Sequence, residues 1–331
     1  MYTPKYPLAF LPTPLHFLPN LSQNFPYKIY IKRDDQTGLA TGGNKTRKLE
    51  YLIQEALDLG YDTVITAGAQ QSNHCRQTAA ACAQTGLECH LWLNGTEPET
   101  YQGNLLFSHL LGAHLHFSGE QAKGRESALQ NLKKELDNQG KKTYIIPVGG
   151  SNLTGATGYI TAMSELKQQM TVQQIDFDYI FFATSSGGTQ AGIMIGQELF
   201  NINAKLMPIL IDKTSDFDIP LQQKIYDIIA EYNEISKQPL EISLDLIPVI
   251  DTYNQAGYGI ITDHERHAIK TLAQNEGILL DPVYTGRAFY GMLDMLEKQI
   301  LPENSQILFW HTGGTPALCA YADELNSKNR E

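Results

Sequence analysis

The chain has only four cysteines in 331 residues, and no two of them form a Cys-x-x-Cys pair. Cys75, Cys82 and Cys89 are spaced by seven, but Cys89 falls beyond Gly86 and so belongs to the next strand, while Cys75 and Cys82 can share a helix face. No strong histidine spacing accompanies them. Small buried thiols are therefore expected, and no metal site. No apolar run is long enough to span a bilayer. The stretch from Met1 to Leu21 is apolar, yet Pro4, Pro7, Pro12, Pro14 and Pro19 break any helical signal core, so a cytoplasmic protein is expected. Charge of either sign never forms a long run. The 36 acidic and 25 basic side chains leave a formal charge of −11, which argues against nucleic acid or an anionic membrane as main partner while leaving room for a local basic pocket. Repeats, low-complexity tracts and Ser/Gly linkers are also missing, so any second domain must be joined by short crossovers.

A hydrophobic share of 42% and a charged share of 18% are those of a globular protein, and the length suits one large or two medium domains. Strand patterns recur at 29–32, 63–66, 90–93, 114–117, 143–146, 179–183, 205–211, 246–250 and 306–310, with amphipathic helices between most of them. Thr262-Asp263-His264-Glu265 is a capping box for a helix running to about Glu276. Such alternation predicts an α/β protein with largely parallel sheets, whose ligands bind in loops at the carboxyl ends of the strands.

Four such loops stand out. Gln70-Gln71-Ser72-Asn73-His74 opens an Ala-rich helix, where side chains and backbone N–H groups can bind an anion or merely cap the helix. Ser185-Ser186-Gly187-Gly188-Thr189 lies between a hydrophobic strand and an apolar helix. Its glycines admit close backbone approach and its hydroxyls donate, as a phosphate cradle requires, but it lacks a P-loop lysine and dinucleotide spacing. His311-Thr312-Gly313-Gly314-Thr315 repeats the design near the C-terminus. Asp281-Pro282-Val283-Tyr284-Thr285-Gly286 presents a tyrosine, and Tyr258 sits in a second glycine-flanked turn; loop tyrosines pack more often than they catalyse unless one pocket holds both.

The run Gly42-Gly43-Asn44-Lys45-Thr46-Arg47-Lys48 carries the most chemistry. Leu49, Leu52, Ile53, Ala56 and Leu57 recur at helical period, Asn44 can cap, and Gly60 ends the helix. Lys45 then lies in the first turn, among unsatisfied N–H groups, where the positive end of the helix dipole favours the neutral amine of a nucleophile. The alternative is a solvated basic turn. A reactive lysine with a phosphate cradle points to pyridoxal 5′-phosphate held as a Schiff base.

With these five motifs in this order, the chain resembles the fold-type II (tryptophan synthase β-like) enzymes from Thr13-Pro14-Leu15 to His311-Thr312-Gly313-Gly314, and within them the D-cysteine desulfhydrase and 1-aminocyclopropane-1-carboxylate (ACC) deaminase family. The resemblance implies that Lys45 carries the cofactor, with Lys48 one turn on. It implies that Asn73 bonds the phenolic oxygen, that Ser72 holds the substrate carboxylate or assists proton transfer, and that Ser185, Ser186, Gly187, Gly188 and Thr189 hold the phosphate. Thr312 then faces the pyridine nitrogen, and Tyr258 and Tyr284 flank the substrate. ACC deaminases have Tyr-Glu at Tyr284-Thr285, their glutamate reaching the cofactor, and tend to have Gln at His74. Both differences favour the desulfhydrase side, with Thr285 as the residue toward the cofactor.

The expected reaction is β-elimination of D-cysteine to pyruvate, ammonia and sulfide, with Lys45 as base and Tyr284 or Tyr258 steering the leaving group. ACC deaminase or a relative such as L-cysteate sulfo-lyase would use the same cofactor residues, and a non-catalytic binder of the cofactor or of an amino acid is the alternative of another class. By the same resemblance, residues 1–59 and 159–331 form a large cofactor domain, residues 60–158 a small inserted one, and the chain a homodimer.

Overall fold

A computed structural model describes residues 4–119, 124–216 and 218–326. In chain order the elements are β1 (Leu15–Phe17), α1 (Pro19–Ser22), β2 (Lys28–Arg33), α2 (Asn44–Asp58), β3 (Thr63–Gly68), α3 (Asn73–Thr85) and β4 (Glu88–Leu93). There follow α4 (Gly103–Leu110), β5 (His114–Phe117), α5 (Arg125–Asn138), β6 (Thr143–Ile145), α6 (Leu153–Gln173), β7 (Tyr179–Thr184), α7 (Gly188–Leu199) and β8 (Lys205–Leu210). The chain closes with α8 (Leu221–Ile235), α9 (Asp263–Glu276), α10 (Thr285–Glu297), β9 (Gln306–His311) and α11 (Ala322–Asn326).

The strands divide into two sheets. One runs β1-β2-β9-β7-β8, with only the β1–β2 pair antiparallel; the other runs β5-β4-β3-β6 and is wholly parallel. Helices cover both faces of each, so central strands alternate between two cores rather than between core and water. In β7, Ile180 and Phe182 enter one cluster with α6 and α7, while Phe181 and Ala183 enter the other with α9 and α10. In the smaller sheet Val64 of β3 packs with α2 and α3, whereas Ile65 and Ala67 meet Leu129, Leu132 and Leu136 of α5. The fold is thus α/β, with two parallel-sheet domains flanked by helices.

The elements differ from the sequence reading at three places. Residues 246–250 are no strand: Leu244–Leu246 form a 3₁₀ turn and only Ile250 bridges, to Ile209. Pro248 interrupts the stretch and has no N–H to donate to a ladder. The short β1 went unread inside the proline-rich start, of which residues 1–3 lie outside the described residues. Asn44 does not cap α2 through its side chain; Gly43 is the N-cap, and Asn44 reaches another loop instead. The capping box at Thr262 and Glu265 is present, opening α9 as read. Cys75, Cys82 and Cys89 are free and buried, and Cys319 is free and exposed.

Candidate active site

The β2–α2, β7–α7 and β9 carboxyl-end loops meet at the start of α2. The Asn44 amide donates to the Thr312 carbonyl at 2.8 Å, and Asn44 Nδ2 donates to Thr189 Oγ1 at 3.1 Å. The side chain read as a helix cap therefore ties the lysine turn to the Ser185–Thr189 loop. Lys45, next in sequence, keeps an opening to solvent but is otherwise enclosed, and burial lowers its amine from 10.5 to about 8. Desolvation is the physical cause, in addition to the positive helix end invoked from sequence. Lys48 is fully buried and held far below its ordinary value by burial and then by Lys45; its Nζ donates to the Gly149 carbonyl at 3.0 Å.

The Ser185–Thr189 loop has the shape of a cradle. Gly187 adopts φ of +87°, and a Cβ on Gly188 would come within 2.8 Å of Ser151 Cα and 2.9 Å of Lys48 Nζ. Ser151 Oγ accepts from the Gly188 amide at 3.3 Å and donates to Ser186 Oγ at 2.8 Å, leaving Ser185 and Ser186 half-buried at the rim. The first-turn amides of α7 have no helical acceptor and point at whatever anion sits there. Substituting Gly188 with alanine is expected to weaken cofactor retention at least tenfold, measured by dialysis and reconstitution, with the secondary structure unchanged.

The β3–α3 loop supplies the facing wall. Ser72 caps α3, its Oγ accepting from the Cys75 amide at 3.2 Å. Asn73 Oδ1 accepts from Arg76 at 3.2 Å and from Asn104 Nδ2 at 2.8 Å, which leaves its Nδ2 as the outward donor. That donor would lie 2.6 Å from a Cβ on Gly314, so the C-terminal glycine turn abuts it. His74 Nε2 lies 2.9 Å from Thr66 Oγ1, whose proton goes to the Ile146 carbonyl. His74 must then donate from Nε2, and its buried Nδ1 is a bare acceptor with no protein partner. Burial, with Lys45 and Lys48 nearby, keeps the ring neutral.

Tyr258 and Tyr284 share one pocket, their hydroxyls 2.8 Å apart. Burial raises both phenols well above the usual range, so both remain protonated. Arg287 holds the Tyr258 turn by donating to the carbonyls of Gly257 and Ile260, each at 2.8 Å, while pairing with Glu265 at 2.6 Å. Asp281 accepts from the amides of Val283, Tyr284 and Thr285, and a Cβ on Gly314 would lie 2.6 Å from its own Cβ. Thr285 is fully buried, and its hydroxyl both donates to Asp281 Oδ1 and accepts from the Asp281 amide, each at 2.7 Å. A glutamate there would face the Asp281 carboxylate directly.

Several contributors escaped the sequence reading. Ser151 follows Val148-Gly149-Gly150, one more strand–glycine–helix turn whose pattern was available. Arg76, Asn104 and Arg287 act through partners remote in sequence, and no spacing announces them. Asp281 lay in one of the four loops but was given no role, although its partners are the nearby amides of Val283, Tyr284 and Thr285.

Pyridoxal 5′-phosphate fits what is present: an amine of lowered basicity, a glycine cradle at a helix start, and the outward amide of Asn73. Residues 7–313 match the family described as "Pyridoxal-phosphate dependent enzyme". The chain is similar to D-cysteine desulfhydrase of Klebsiella pneumoniae (strain 342), 41% identical over 327 residues and 97% of each chain. It is also 40% identical to D-cysteine desulfhydrase of Salmonella newport (strain SL254) over 323 residues, 96% of each. Among solved structures, an ACC deaminase homologue matches with a TM-score of 0.87 at 38% identity, covering 98% of this chain and 96% of the other.

Proposed function

This chain belongs to the pyridoxal-phosphate dependent enzyme family, and from that membership we propose that it cleaves D-cysteine to pyruvate, ammonia and sulfide. The observation that supports the reading is the seating of the Lys45 turn against the Thr189 and Thr312 loops, with the Gly188 cradle against Lys48. When bound, pyridoxal phosphate supplies an electron sink that acidifies the substrate α-carbon. In this reading Lys45 holds the cofactor, the Ser185–Thr189 loop and the α7 amides hold its phosphate, Asn73 Nδ2 its phenolic oxygen, and Thr312 its ring nitrogen. Ser72 takes the substrate carboxylate. Thr285 acts at one remove, through Asp281.

A general base works best when its pKa lies near the operating pH, and an amine at about 8 meets that condition. Lys45 Nζ therefore accepts the α-proton, and the electron pair released breaks the Cβ–S bond. The departing thiolate needs a proton. Two phenols held protonated and hydrogen-bonded to one another can supply it and relay its replacement. Water then hydrolyses the released enamine to pyruvate and ammonia, which balances the reaction.

Tyr258→Phe and Tyr284→Phe are each expected to lower kcat about 100-fold with a smaller change in KM, since the hydroxyl is needed as sulfide leaves. Parallel assays of pyruvate, ammonia and sulfide should give equal amounts from D-cysteine. 2-Oxobutyrate and ammonia from ACC at a comparable kcat/KM, with no pyruvate from D-cysteine, would move the chain to the deaminase branch.

We further propose that residues 60–158 form a small domain carrying Ser72 and Asn73, which closes toward the large domain of residues 1–59 and 159–331 when substrate binds. A cytoplasmic homodimer completes the reading. Among the described residues no helix is long and apolar enough to cross a membrane.

A further inference from the structure

The smaller sheet carries a second group of functional side chains at the end opposite the cleft. Side chains alternate along β4, so Cys89, Leu91 and Leu93 face one core while Glu88, His90 and Trp92 face the α5 side. The edge strand β5 pairs with β4 so that His114 lies beside His90 and His116 beside Trp92. The helix α5 covers Trp92 and its neighbours on β3, while His114 on the edge strand stays exposed. Three imidazoles and one carboxylate thus occupy adjoining positions on one face.

Their distances are those of a ligand set. Glu88 Oε1 lies 2.9 Å from His90 Nε2 and 3.6 Å from His114 Nε2, and one ligand atom from each of the three falls within 4.8 Å of the others. Atoms bound at about 2.0–2.2 Å around a tetrahedral ion sit roughly 3.4 Å apart. Among the described residues no other group of three His, Cys, Asp or Glu side chains comes this close.

From this geometry we propose that Glu88, His90 and His114 bind one divalent transition-metal ion of the zinc type, with a fourth position open to water. Two imidazoles and a carboxylate suit zinc, nickel or copper, whereas magnesium and calcium prefer all-oxygen sets.

The surroundings support that assignment. His90 is nearly enclosed, with its side chain 7% exposed, so its ring is held in place beside Glu88. His114 is 57% exposed and its ring, stacked on His90 at 4.5 Å, has room to turn its Nε2 toward the ion. His90 Nδ1 lies 2.9 Å from His116 Nε2. With a metal on His90 Nε2, the His90 proton must sit on Nδ1 and be donated to His116, the outer partner that fixes a ligating ring. Without metal, His90 donates from Nε2 to Glu88 and accepts from His116. Binding therefore switches two tautomers in register. Lys141 pairs with Glu88 Oε2, holding the carboxylate in place while competing with a cation for it. The ion would add a staple between edge strand β5 and β4, beside the backbone ladder and the His90–His116 contact.

The test is zinc competition against a chromophoric chelator, using metal-stripped holoenzyme without a polyhistidine tag. A Cys319→Ser background removes the exposed thiol. One equivalent should bind. His114→Ala and Glu88→Gln should each weaken binding at least about tenfold, and Lys141→Ala should tighten it roughly fivefold by removing a competing charge. Zinc should raise the melting temperature of the parent protein and leave that of His114→Ala unchanged. Since His114 is exposed, that variant keeps the fold. Unchanged affinity in either ligand variant, or no saturable binding to the parent, would overturn the proposal.

Discussion

Replacing Lys45 by alanine should lower turnover of D-cysteine at least about 10⁴-fold, because the substitution removes both the cofactor's attachment and the base for the α-proton. Cofactor absorbance should disappear from the purified protein at the same time. The same variant carries a second expectation that a merely destabilising mutation does not share. In the cofactor-free wild type, burial lowers Lys45 from 10.5 to about 8. The unfolded chain therefore binds more protons than the folded one between these values, and stability contributed by this site rises with pH across that window. Below about pH 8 the native state holds a protonated lysine in a poor solvent for it. Cofactor-free Lys45→Ala protein should then melt higher than cofactor-free wild type at pH 7, and the difference should fade as pH rises toward 10.5. Thermal unfolding at two pH values checks this. A variant that melts lower at pH 7 would mean that Lys45 is solvated and not the desolvated amine described.

Arg47→Met should cost about 3–5 kcal/mol of stability, the largest loss expected from any single change in the helix carrying Lys45. Arg47 donates from Nε and Nη2 to both oxygens of Asp34, at 2.9 and 2.8 Å, and from Nη1 and Nη2 to both oxygens of Glu165, at 3.1 and 2.9 Å. Tyr159 donates to Asp34 at 2.6 Å, and Lys32 pairs with Glu165. This buried cluster joins β2, α2 and α6, and so fixes the turn from which Lys45 projects. Burial alone would raise Asp34, but the charge and hydrogen bonds of Arg47 outweigh it and hold the carboxyl at about 2, below the usual 3.8. Its stabilising contribution is full above about pH 4 and lost as pH falls through 2. With methionine, Asp34 and Glu165 stay buried with Lys32 as the remaining cation, and Asp34 should titrate above 3.8. The destabilisation should therefore be larger at pH 7 than at pH 4. Denaturant unfolding at both pH values measures it. Equal losses would show that packing, and not charge, is what Arg47 supplies.

The cleft was legible in the sequence wherever one short segment carries both a structural signal and its chemistry. Gly43-Asn44-Lys45 before an amphipathic helix, and Ser185–Thr189 between a strand and a helix, are such segments, and the cleft is assembled from them. Tyr258 and Tyr284 both pack against the core and bond to one another through their hydroxyls, a pairing that 26 residues of separation did not announce. What could not be read is pairing across long separations. Arg47 and Lys48 were open to reading as a solvated turn, yet both are buried, because Glu165 lies 118 residues beyond Arg47 and Gly149 lies 101 residues beyond Lys48. The histidines of β4 and β5 show no metal spacing along the chain. They become neighbours only through the register of two parallel strands. Residues 246–250 misled for a local reason: the apolar run favours a strand, and Pro248 denies it a donor.

The most direct test of the central claim is to follow pyruvate and sulfide on mixing the purified protein with D-cysteine and, separately, with L-cysteine, while recording the cofactor's visible absorbance. The account predicts a band before mixing, a change in that band with D-cysteine, and both products from D-cysteine with little or none from L-cysteine. A protein that keeps the band but forms no sulfide from D-cysteine would contradict the assigned reaction. One that shows no band after pyridoxal phosphate is supplied would contradict the role given to Lys45.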